Sequence, residues 1–226
     1  MKRLVLEEIY ARFEAWSSPL SLACSRGCAA CCTQDVTMTA LEGELIYDFI
    51  GRRNKEMWLA EKLKQGLPEH HPGCTTNEYA GACLRGEEID PGGGRYDRIC
   101  PFLEQDVCTI YPVRPFNCRV FASTETCRKG VSAVLPHYYL SAATAVSQVI
   151  EHLDQGRPWG NMLILLARNR SEDGFTKQVQ DRWRTCRPLP GFLLDGSDYP
   201  RVAPLLEQIF TAEIGGRKIE DILNGR

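Results

Sequence analysis

The sequence has no run of roughly 18 uncharged apolar residues, the length a bilayer-spanning helix needs, so it holds no transmembrane helix. Its start, MKRLVLEEIYARFEAW, carries two basic residues, but Glu7, Glu8, Arg12 and Glu14 interrupt the apolar stretch an export signal requires. Charge of one sign is also lacking. With 27 basic and 29 acidic side chains the formal net charge is −2, which gives no global field for nucleic acid or an anionic membrane. No G-x-G-x-x-G occurs, and Gly92 to Gly94 lacks the lysine and hydroxyl residue of a phosphate-binding loop, so nucleotide folds have no support. There is no internal repeat and no low-complexity tract. Hydrophobic residues at 43% and charged residues at 25% describe an ordinary globular protein.

Cysteine is what the chain has in excess, with 11 in 226 residues. The length and uneven spacing do not suit a small secreted disulfide scaffold, and the missing export signal makes the cytosol the expected address. Thiols stay reduced there, so clustered cysteines point to metal or redox chemistry.

Val5, Ile9, Phe13 and Trp16 recur at helical spacing and predict an amphipathic helix over 4–16, ended by Ser17, Ser18 and Pro19. Thr39 and Glu42 form a capping-box pattern ahead of a helix running from about Ala40 to Arg53, with a second stretch to Gln65. From Gly66 to Arg98 periodicity disappears among prolines and glycines, and the segment reads as an irregular loop in need of a cross-link. The segment from Ile99 to Phe121 suggests a short extended piece, a turn, then a tight turn at Arg114-Pro115. After Pro136 a helix should run to Gly156, and Pro158 should open the next one over WGNMLILLARN. Further helices are expected over 175–185, 201–212 and 218–223. The fold class expected is mainly α: one domain over 1–226, in which a loop-rich cysteine-cluster core (20–130), held by metal, packs on N- and C-terminal helices, the latter within 137–226.

The cysteines fall into two sequence groups. Cys24, Cys28, Cys31 and Cys32 lie within nine residues, and Cys28-Ala-Ala-Cys31 has the spacing that lets two thiolates converge on one ion. Adjacent side chains diverge, so the vicinal pair Cys31-Cys32 suggests two neighbouring ions, a bridged cluster, or one ligand beside a reactive thiol. Cys100, Cys108, Cys118 and Cys127 form the second group. Eight soft thiolates suit two four-sulfur zinc sites or one polynuclear iron or zinc centre. Arg26, Arg98, Arg114, Arg119 and Arg128 lie near them in sequence and can offset the negative charge.

Cys28-x-x-Cys31-Cys32, followed by Cys100-Pro-Phe-Leu103, Cys108-x-Ile-Tyr111 and Arg114-Pro-x-x-Cys118-Arg119, resembles the bacterial CxxCxxCC zinc- or iron-chelating domains. The resemblance implies metal chelation by the motif cysteines and implies little about a reaction. The three-residue gap between Cys24 and Cys28 departs from the pattern, and the region beyond Pro136 is not covered. Some flagellin lysine N-methylases are similar in carrying this kind of motif, although no adenosylmethionine signature is present here.

Other residues give weaker signals. Cys186 reads as a small buried hydrophobe. His70, His71 and Cys74 have ligand-type spacing in a surface loop, and Cys83 stands alone. His137 and His152 read as capping or packed residues. Arg168, Arg170, Lys177, Arg182, Arg184 and Arg187, interrupted by Asp173 and Asp181, read as a solvated face, so no nucleic-acid partner is expected. Two functional expectations result. The first is a cytosolic protein binding zinc or iron, with more than one ion. The second is an iron or iron–sulfur enzyme doing redox, radical or methyl-transfer chemistry. The partners expected are metal ions; a protein partner is left open.

Overall fold

A computed structural model describes residues 1–25, 27–69, 71–92, 98–127, 132–169, 179 and 181–226. Its first helix, α1 (Lys2–Ser17), buries the stripe Val5, Leu6, Ile9, Tyr10 and Phe13. The short strand β1 (Thr37–Thr39) leads into α2 (Ala40–Gly51), where the capping box forms as expected: Thr39 Oγ1 accepts from Glu42 N–H, and Glu42 Oε2 accepts from Thr39 N–H at 2.8 Å. The helix α3 (Glu56–Lys64) follows.

The stretch after Gly66 departs from expectation, because it contains α4 (Thr76–Arg85). A second capping box, Thr75 with Glu78, opens this helix, and Gly86 closes it with φ +70°. Its buried face is made of Ala80, Gly81 and Ala82, too small to register as hydrophobic periodicity. Polar anchors dock it instead. The buried Asn77 side chain donates to Gln148 O and Arg187 O, both at 3.0 Å, and its backbone N–H donates to Glu151 Oε2 at 2.9 Å. Helix formation and these hydrogen bonds therefore order the Thr76–Arg85 part of the stretch that the sequence reads as irregular.

The second cysteine segment forms a hairpin, β2 (Leu103–Glu104) with β3 (Val107–Cys108), turned by Gln105 and Asp106 at φ +50° and +60°. Two left-handed residues in succession give the turn whose twist matches a tight hairpin. A 3₁₀ turn (Tyr111–Val113) and the one-turn helix α5 (Phe116–Arg119) complete it, with Pro115 at the N-cap.

The helix α6 (His137–Leu153) is buried along most of its length. Pro158 opens a strand rather than a helix: β4 (Pro158–Asn161) pairs antiparallel with β1, and α7 (Met162–Arg168) starts only after Asn161, whose side chain accepts from Leu163 N–H. Asn is among the best N-caps, so the helix start moves to it. On its other edge β4 pairs with β5 (Arg184–Thr185). Of the helix expected over 175–185, residues 175–178 and 180 lie outside the described residues, and its last two positions are this strand. The chain ends with α8 (Tyr199–Thr211), a hairpin of β6 (Glu213–Ile214) and β7 (Arg217–Lys218), and α9 (Ile219–Leu223). The architecture is mainly α, and no described helix is long and apolar enough to cross a membrane.

Two apolar clusters form, and α2 lies between them. Leu41 and Leu45 join the first, with the stripe of α1, the buried face of α6, and α8 and α9. Ile46 and Ile50 join the second, with α3, α7, Phe102 and Ile110. Each fully buried aliphatic or aromatic side chain contributes about 1.5–3 kcal/mol, and residues four apart on a helix share a face, so one short helix ties both clusters together.

Candidate metal centre

The first cysteine loop is built from two consecutive turns. Cys28 N–H donates to Ser25 O and Cys32 N–H to Ala29 O, both at 3.0 Å, with Gly27 at φ +93°. Only glycine takes that backbone conformation without steric cost. Beyond Cys32 the chain pairs with the segment ahead of the hairpin: Thr33 bridges Ile99, Cys100 N–H donates to Cys32 O, and Gln34 N–H to Arg98 O, both at 2.9 Å. This ladder sets the two cysteine groups side by side.

Glu42 positions the second group from behind. Its Oε1 accepts from Tyr10 O–H and from Phe116 N–H, each at 2.7 Å, while Oε2 completes the capping box. Asn117 of α5 donates to Thr37 O and Thr37 Oγ1. Cys118 is thus carried on a turn pinned to α1, α2 and β1. The capping-box pattern marked Glu42 in the sequence, but only for one of its two oxygens.

These segments enclose a cavity of about 660 Å³. Seven of the eight expected cysteines line it: Cys24, Cys28, Cys31, Cys32, Cys100, Cys108 and Cys118. Tyr10, Phe13, Phe116, Tyr139 and Met162 supply apolar wall. Cys127 does not line the cavity, although its thiol is near enough to Cys24 to act on it electrostatically. All the cysteines are free thiols. Among the described residues no three His, Cys, Asp or Glu side chains are already gathered at the spacing of a metal site, so the thiols would have to close on an ion.

The electrostatics follow from burial. Desolvation pushes the Cys100 thiol up to about 11 and raises Cys24, Cys108 and Cys118 as well. Cys31 donates a hydrogen bond to Cys32, which raises Cys31 and lowers Cys32. Arg114 opposes the general rise: it lines the cavity, its guanidinium stacks 3.7 Å over the Tyr111 ring, and its charge lowers Cys31, Cys108 and Cys118. Arg119 lines the same cavity, stacks 4.4 Å over Tyr10 and donates to Arg114 O and Pro112 O. Of the other arginines expected nearby, Arg98 donates to Gln65 O, and Arg26 and Arg128 lie outside the described residues.

The remaining ligand-type residues stand apart. His71, Cys74 and Cys83 do not line the cavity, and His70 lies outside the described residues. Cys74 is buried near Glu78 and Arg184. Cys186 is buried too, its thiol raised by desolvation. His137 Nδ1 lies 2.5 Å from Asp198 Oδ2, a contact between α6 and the start of α8, and His152 Nδ1 accepts from Leu189 N–H.

A cavity walled by reduced thiols, with arginine charge inside it, is a donor set for soft cations such as zinc or iron and offers hard cations little. The chain belongs to the CxxCxxCC family, described as "Putative zinc- or iron-chelating domain", whose model matches residues 23–135, half of the sequence. Neither the comparison with curated proteins nor that with solved structures gave a match.

Proposed function

We propose that the chain is a cytosolic metal-binding protein that chelates zinc or iron, with more than one ion per chain, through Cys24, Cys28, Cys31, Cys32, Cys100, Cys108, Cys118 and Cys127. One observation carries this reading: seven free thiols from three separate segments line a single cavity. Thiolates hold the metal, and the ion supplies charge that lets them remain deprotonated in a partly dry site. Binding therefore releases protons, because burial holds most of these thiols above the ordinary range.

A second reading is favoured by size. The cavity's roughly 660 Å³ falls in the range of small-molecule pockets, which leaves room for a substrate beside an iron or iron–sulfur centre doing redox, radical or methyl-transfer chemistry.

Elemental analysis and an absorption spectrum on protein purified without oxygen test both readings. Colourless protein with zinc supports chelation, and iron with sulfide and a broad visible band supports the enzyme. Cys118→Ser should lower metal content, whereas Cys186→Ser, remote from the cavity lining, should retain it. Absence of metal from the wild-type chain overturns both readings.

A further inference from the structure

We infer that the eight cysteines form two separate four-thiolate sites that interleave the sequence groups: a buried one of Cys32, Cys100, Cys108 and Cys118, and an exposed, exchangeable one of Cys24, Cys28, Cys31 and Cys127. The inference rests on the chelation reading and deepens it by giving the two sites different work.

Packing defines the inner set. Cys100 is buried within the second apolar cluster, and Cys32, Cys108 and Cys118 all pack against that cluster. Backbone bonds fix the same grouping. Cys32 O accepts from Cys100 N–H, and Leu103, whose own N–H donates to Cys100 O, is the hairpin partner of Cys108. Cys118 rides on α5, pinned through Phe116 and Asn117. Cys32 also feels the charges of Cys108, Cys100 and Cys118.

The outer set is defined by a different strand of contacts. Ala23 N–H donates to Ser123 O at 2.8 Å, so Cys24 runs beside the segment that leads to Cys127. That segment is folded into a turn in which Ser123 Oγ accepts from Glu125 N–H and Val134 N–H. The thiols acting on Cys24 are Cys28, Cys127 and Cys31. Cys24, Cys28 and Cys31 are exposed, and Cys127 is half-buried. The vicinal pair, joined by its own hydrogen bond, is the seam: Cys31 is exposed and acts on Cys24, and Cys32 packs against the second apolar cluster.

In each site a thiol loses its proton to solvent as a sulfur–metal bond forms, with no change of oxidation state. Burial at the inner site shields its ion from competing ligands, which suits a structural role. Exposure at the outer site lets a second chelator add to the ion before the protein releases it, the route by which metal passes between proteins.

The test uses the full chain loaded with zinc under reducing conditions and challenged with the chromogenic chelator 4-(2-pyridylazo)resorcinol. Wild type should release its zinc in two phases of about equal size, in keeping with one ion per four-thiolate site. Cys24→Ser and Cys127→Ser should each erase the fast phase and leave the slow one. Cys118→Ser should erase the slow phase. If Cys118→Ser does not fold, the two outer variants decide the matter, since their side chains lie outside the apolar clusters. Loss of all zinc in Cys127→Ser, or a fast phase that survives it, overturns the partition while leaving chelation standing. A wild-type chain that binds no zinc and carries no iron overturns the chelation reading itself.

Discussion

Arg114 is the residue whose charge matters most to the thiols around it. Its guanidinium favours the thiolate at Cys31, Cys108 and Cys118, against the hydrogen bond to Cys32 that raises the first and the desolvation that raises all three. Protons and metal compete for the same sulfurs, so metal loading should fall as pH drops. In Arg114→Gln those thiols rise further, protons compete better, and the loading curve should move to higher pH. Metal content measured after equilibration across a pH series checks this, and an unmoved curve would remove Arg114 from the binding energetics. At this scale the gathering of the cysteines was legible, since seven of the eight singled out by type and spacing line one cavity. Glu42 was half legible. A capping box is local, but the oxygen holding Tyr10 and Phe116 bridges separations of 32 and 74 residues that no local pattern encodes.

Among the elements, α4 best shows a segment expected to be loop that ordinary folding orders. The expected structureless loop is a capped helix docked on α6 through Asn77 and Glu151. Asn77→Ala strips the buried Gln148 carbonyl and the partly buried Arg187 carbonyl of their donor and should cost about 1–3 kcal/mol, read as a lower Tm, with metal content unchanged. Coupled loss of metal would instead tie α4 to the cysteine site. The element reading succeeded where apolar periodicity or a cap was strong, as in α1, α2 and α6. It failed where tertiary pairing prevailed. Pro158 is a good helix opener by itself, yet β1 is available as a strand partner for Pro158–Asn161, and Asn161 takes over the cap. The small residues of α4 failed for the opposite reason, since they give almost no apolar signal to read.

The whole molecule is larger than the segment that defines its family. Residues 23–135 hold all eight expected ligands but exclude α1, α6 and β4. Tyr10, Phe13, Tyr139 and Met162 of the cavity wall come from outside that segment, and β1 loses the one strand partner it has among the described residues without β4. A fragment limited to 23–135 should therefore lack cooperative thermal unfolding, while the full chain shows it; a sharp transition in the fragment would mean that metal alone organises the segment.

The β1–β4 pairing also imposes an order on birth. A ribosome releases the chain from its N-terminus, so Cys24 through Cys32 emerge long before the Arg98–Cys100 backbone that pairs with Cys32–Gln34, and β1 waits longer still for Pro158–Asn161. Non-local pairings cannot form until both partners have left the exit tunnel. For that interval the nascent chain presents unpaired, solvent-facing thiols. Its exposure to oxidation or to the wrong metal is greatest during synthesis, and any pause in translation between residues 32 and 161 lengthens it.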